Sequence, residues 1–155
     1  MKKIIALTIV AICALCAPEP KPLHELTSYI QDGTYVVYAE GYVTSPYARR
    51  IDNGGHTVLV AKTSAASHVF EGAGNVLGES VSFCGGQAEL DGLIRALGMV
   101  AVWESEFEGC YYGWSAHLPE GVMLSGRKVN CQIVVSGGEI TVGWPLIMGS
   151  YHLDT

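Results

Sequence analysis

"KVNCQIVVSGGEITVGWPLI", residues 128 to 147, sets two alternating apolar segments on either side of a glycine pair. Two glycines in that position specify a two-residue hairpin turn of the primed type, because both central residues need φ above zero. The turn fixes the register. Val135 then faces Ile140, Ile133 faces Val142 and Cys131 faces Trp144, so six apolar side chains fall on one side of the ribbon. Lys128, Asn130 and Gln132 point the other way, toward Thr141 and Gly143. One face of this hairpin is core. Pro145 has no N–H to give to a ladder, so the second strand is an edge or ends there.

Working outward, the same alternation and enrichment in β-branched and aromatic residues predict strands over 34–43, 56–63, 80–84, 100–106 and 110–117. The stretch around "DNGG" (52–55) reads as a loop, and residues 64–79 carry too many small residues to assign. Two helices separate the strands. "PLHELTSYIQDG" (22–33) places Leu23, Leu26 and Ile30 on one side, with Gly33 as a stop. In "GGQAELDGLIRALG" (85–98), Leu90, Leu93, Ile94 and Leu97 recur at helical spacing, acids sit near the amino end, and Gly98 closes the helix. Helix then strands, twice over, predicts an α+β domain: an antiparallel sheet with helices packed on one face, in two loosely similar halves.

A chain of 155 residues with 49% apolar and 15% charged residues suits one folded domain, here 23–155. Ahead of it, "MKK" and then "IIALTIVAICALCA" (4–17) have the charged-then-apolar layout of an export signal. Fourteen residues fall short of the about 20 that a spanning helix needs. The expectation is a signal peptide or amino-terminal anchor over 1–17, with membrane association through 4–17, followed by a stiff "PEPKP" spacer at 18–22. Ile12 and Leu15, the residues before Cys13 and Cys16, are too large for a lipoprotein cleavage site. Without Lys2 and Lys3 the chain holds 7 basic against 15 acidic residues, a net of −8. Nucleic-acid binders need a basic footprint, and this one has none.

Chemistry is sparse. Cys84, just before the second helix, is the candidate nucleophile, since a helix amino terminus stabilises a thiolate. Its base would have to be His56, His68 or His117, and no motif fixes any of them beside it. Cys110 and Cys131 are either free thiols or one bridge. The histidines are scattered without metal-ligand spacing, and Glu104, Glu106 and Glu108 lack the Asp-rich loop of a calcium site, so no metal and no cofactor is expected. "GAGNVLG" (72–78) lacks the surroundings of a phosphate loop.

The aromatics are more informative: Tyr35, Tyr38, Tyr42, Trp103, Tyr111, Tyr112, Trp114 and Trp144 all fall on predicted strands. Along 110–117, Cys110, Tyr112, Trp114 and Ala116 share one side, and Tyr111, Gly113, Ser115 and His117 share the other. One tyrosine faces away from the core whichever way the strand is turned. The set Tyr111, Gly113, Ser115 and His117 is taken as the exposed one, a helix-free face that binds an envelope protein or a glycan.

Five features of residues 81–151 carry a resemblance: "VSFCGG", the amphipathic helix after it, "YYGWSAHLP", "KVNCQIVV" and "ITVGWPLIMGSY". In order and spacing they are similar to the carboxy-terminal part of the secreted YwmB-like family of spore-forming bacteria, whose fold resembles the TATA-box-binding protein. The resemblance thins before residue 80. It implies an exported, sporulation-associated protein of the cell envelope, outside the cytoplasm, with no catalytic residues; the DNA-related name describes the fold alone. The expected function is a non-enzymatic binding or assembly module, the alternative a cell-wall or thiol-dependent hydrolase using Cys84.

Overall fold

The computed structural model describes residues 18–149, so the expected leader at 1–17 and the tail from residue 150 onward lie outside the described residues. The elements in chain order are α1 (Leu23–Leu26), β1 (Thr34–Glu40), β2 (Arg49–Asn53), β3 (His56–Lys62), a 3-10 turn (Thr63–Ala65), α2 (Ala66–Gly72), β4 (Val76–Cys84) and α3 (Gln87–Ala96). There follow β5 (Met99–Glu104), β6 (Cys110–Ser115), β7 (Val122–Leu124), β8 (Arg127–Val129), β9 (Cys131–Ser136) and β10 (Glu139–Trp144). Eight strands form one sheet in the order β2-β3-β1-β4-β10-β9-β6-β5, every neighbouring pair antiparallel, while β7 and β8 make a separate small hairpin.

The quoted hairpin has the expected register. Ile140 pairs with Val135 and Val142 with Ile133, and Gly137 and Gly138 take φ of 60° and 82°. The same chemistry recurs twice where the sequence reading saw none. Gly54 (φ 57°) and Gly55 (φ 96°) turn β2 into β3, and Ser125 (φ 48°) and Gly126 (φ 76°) turn β7 into β8. "DNGG" is therefore a hairpin tip rather than a loop, and the predicted strand 128–136 is interrupted at Asn130. Helix α1 is a single turn, shorter than predicted, although Ile30 beyond it still reaches the core. The unassigned stretch 64–79 contains α2 and the start of β4.

Why the helices share a face follows from the wiring. Because β1 lies antiparallel to both β3 and β4, those two strands run parallel, and α2 is the crossover between them. By the same alternation β5 runs parallel to β4, with α3 crossing from the sheet centre to its edge. Both crossovers move in the same direction along the sheet, so a common right-handedness puts both helices on one face. Leu90 and Leu93 of α3, Leu97 at its carboxy cap, and Ala66 and Val69 of α2 accordingly join Tyr35, Val37, Val81, Ile133 and Val142 in one core. The sheet halves are contiguous in sequence, β1–β4 and β5–β10, meeting where β4 pairs with β10 from Cys84↔Glu139 to Glu79↔Trp144. They match in strand number but not in the placement of helices. Strand β10 does end before Pro145, and it is central rather than an edge.

On the other face, Val36, Tyr38, Val58 and Val60 form a second, smaller buried cluster. Past Pro145 the chain turns back across this face: Ile147 N donates to Gln132 Oε1 at 2.9 Å, and Tyr38 Oη donates to Gly149 O at 3.3 Å. The crossing is close enough to require glycine at position 78, where a Cβ would meet Trp144 O at 2.8 Å and Met148 Cε at 2.9 Å. Among the described residues no helix is long and apolar enough to cross a membrane.

Candidate functional site

Strand β6 alternates as predicted, but with the opposite sense. Tyr111 pairs with Ile133 and Gly113 with Cys131, both core residues, and Tyr111 packs against the helix-covered cluster. Ser115 is fully buried: its hydroxyl donates to Leu97 O, and its N–H to Asn130 Oδ1 at 2.7 Å. His117 lies beyond the strand, its N–H donating to Ser115 Oγ at 3.1 Å and its carbonyl accepting from Lys21 N at 2.7 Å. The set Tyr111, Gly113, Ser115 and His117 is thus not the open face. Period two fixes which residues travel together, and only the partner strand says which group is inside.

The residues on the helix-free face are Cys110, itself buried, and the half-buried Tyr112 and Trp114, and the neighbouring strands extend them into an aromatic strip. In β5 the register slips so that Val100 pairs with Trp114 and Trp103 with Tyr112, leaving Ala101 and Val102 opposite a single partner residue. This is a β-bulge, with Ala101 at φ 53°. Its effect is to put Val100 and Trp103, three residues apart, on the same face. The Trp103 and Tyr112 ring centroids are 5.8 Å apart. Two cations from β8 cover the tryptophans: Arg127 Cζ is 4.8 Å from the Trp103 ring centre, and Lys128 Nζ is 4.6 Å from that of Trp114. Gln132 Nε2 lies 3.4 Å from both Tyr112 Oη and Cys110 Sγ. A hydrogen bond with Cys110, then burial, raises the Tyr112 phenol above its ordinary value.

Beside the strip, the tips of the β5–β6 and β7–β8 hairpins enclose a groove of about 490 Å³, lined by Trp103 and Tyr112 together with Glu106, Phe107, Leu124 and Arg127. That volume falls in the range of small-ligand and side-chain pockets. Phe107 in this lining is 77% exposed, and Met123 beside Leu124 in β7 is 67% exposed. Sequence reasoning named the aromatics and put Lys128 on the non-core face, but missed Arg127 and the β7–β8 hairpin that carries both cations.

Cys84 is an exposed free thiol at the end of β4. The register separates it from each proposed base. His56 starts β3 opposite Glu40, six residues from the Thr34↔Lys62 rung near Cys84, about 20 Å along the strand. His68 sits in α2 on the helix-covered side, stacked on Tyr47 with centroids 5.0 Å apart. His117 follows the far end of β6, since it is Cys110 that pairs with Val134 near Cys84's end. Cys110 and Cys131 are free, one on each face of the sheet, so the alternative of a bridge between them is not realised.

A group that the sequence did not announce lies in the core. Glu79 is fully buried, and its carboxylate accepts from Leu23 N at 2.9 Å, His24 N at 3.2 Å and Tyr35 Oη at 2.7 Å, with His24 Nδ1 at 2.9 Å. Burial, and then the adjacent carboxylate, push the Tyr35 phenol well above its ordinary value. The His24 ring is itself covered by Phe70 at 4.6 Å. The cluster acts as a clamp: the carboxylate caps the orphan N–H groups of α1 and holds it to the sheet. Among the described residues no group of three or more metal-ligating side chains converges. No family model, curated protein or solved structure matches the chain.

Proposed function

We propose that this chain is a non-enzymatic binding or assembly module of the cell envelope, working through the helix-free face of β5 and β6. The observation that carries the reading is the aromatic strip: Trp103, Tyr112 and Trp114 share one helix-free face, next to a groove of mixed apolar and charged lining that includes the exposed Phe107. All three rings are half-buried, and aromatic side chains gathered on one partly exposed face are characteristic of recognition sites. Export, placement outside the cytoplasm and membrane association rest on the apolar segment 4–17, and the sporulation link and a TATA-box-binding-like arrangement rest on the resemblance of residues 81–151. The eight-stranded antiparallel sheet with helices on one side is compatible with that arrangement. The thiol-hydrolase alternative is weakened by the separation of Cys84 from His56, His68 and His117.

The test is photo-crosslinking in cells, from position 112 or 114, compared between growing and sporulating cultures. A discrete envelope protein or glycan adduct from 112, absent from a probe at the inward position 111, is the expected result. Equal, nonspecific adducts from both positions would remove the binding role of this face.

A further inference from the structure

We infer that the groove between the β5–β6 and β7–β8 hairpins binds a basic side chain of an extended polypeptide, and that Arg127 occupies the place of that side chain in the free protein. The inference rests on the binding-face reading and gives it a chemical class of partner.

The ring faces of tryptophan and tyrosine carry negative quadrupole charge and attract a cation within about 6 Å. Trp103 already holds such a cation, the guanidinium of Arg127 at 4.8 Å. That arginine comes from a hairpin whose strands are three residues each, with the positive φ of Ser125 and Gly126 at its tip. Few backbone hydrogen bonds hold it, so Arg127 is displaced at small cost. Glu106 adds a carboxylate to the same lining, and beyond residue 17 the chain is acidic by a net of −8, which favours approach of a basic partner.

A polypeptide is favoured over a free amine by what lies alongside. Strand β5 is the outermost strand at this end of the sheet, and from Met99 to Trp103 it has no charged side chain, with Val100 59% exposed. The opposite edge, β2, is blunted by Arg49, Arg50 and Asp52. Edge strands are ordinarily protected by charge or by bulges; β5 has its bulge at Ala101–Val102 but no charge from Met99 to Trp103, which makes it the less protected edge for an added strand to either side of the bulge. An extended segment running along β5 would present alternate side chains to the groove.

The experiment titrates acetyl-trilysine amide into the full chain while following the indole N–H resonance of Trp103, assigned with Trp103→Phe. A saturable shift at Trp103 and none at Trp144 is expected, weakening as salt rises. Removing the internal competitor with Arg127→Ala should tighten binding about 2- to 5-fold, the worth of one exposed cation–aromatic contact, and Glu106→Gln should weaken it. An arginine with only a structural role would not tighten anything on removal. No saturable shift, an equal response to triglycine, or Arg127→Ala binding no more tightly overturns the inference. An equal response to oligomeric glucosamine overturns the assignment to a polypeptide. Should trilysine fail while position 112 still yields a discrete crosslink, the cation site falls and the binding face stands; failure of both removes both.

Discussion

Glu79 shows how a single side chain can organise a fold without being visible in the sequence. In "VLGESVSFC" it reads as an ordinary strand residue, and its partners Leu23 and His24 come from more than fifty residues upstream. Replacing it with alanine leaves two helix N–H groups, an imidazole and a phenol without an acceptor. Losses of this kind cost about 3 to 5 kcal/mol, so Glu79→Ala should lower the urea midpoint sharply, with Glu79→Gln, which keeps one acceptor oxygen, intermediate. A second residue-scale consequence is alkaline sensitivity. Burial pushes the Cys131 thiol from its ordinary 9.0 up to about 12. Ionisation therefore favours the unfolded chain: this contribution to stability is complete below pH 9 and is lost as pH rises toward 12. At pH 10 the loss should be about 1 to 2 kcal/mol by urea titration, and Cys131→Val should remove that part of the slope, leaving the part due to Tyr35.

At the scale of elements, the three primed turns show what local chemistry can and cannot convey. Gly137–Gly138 was legible because alternating strands flank it, and Gly54–Gly55 escaped notice because β2, "RRIDN", has too few apolar residues to look like a strand. The apolar pattern of Leu23, Leu26 and Ile30 suggests a longer α1 than the single turn that forms, because Ile30 reaches the core through tertiary contacts beyond the helix. The strand break at Asn130 was also beyond local reading, because its cause is tertiary. The Asn130 amide donates to Ser115 O at 2.8 Å and Pro119 O at 2.9 Å, and its oxygen accepts from Ser115 N. It thereby substitutes for backbone pairing in the loop after β6. Asn130→Ala should cost about 2 to 3 kcal/mol, and the Ser115 amide should lose hydrogen-exchange protection more than the amides of β1 do.

For the whole molecule, the fold class was legible in advance because composition, turn chemistry and the amphipathic α3 all agree. The open face was not, since choosing between Tyr111 and Tyr112 needed the pairing of β6 with β9. Halves whose strands pair only between β4 and β10 make a further prediction: deleting residues 139–149 bares the edges of both β4 and β9. The product should lose its cooperative urea transition and self-associate on size-exclusion chromatography, whereas a fold carried by independent halves would retain two transitions.

The central position of β10 also orders events in time. A chain made from its amino end completes β1–β4 first, and Cys84 precedes its partner Glu139 by the whole of α3 and five further strands. Throughout that interval β4 offers an unpaired apolar edge, and the gap in the sheet is filled by the last strand to appear. The interval between those two residues is when a nascent molecule is most exposed to mispairing, and a holding chaperone would have its greatest effect there.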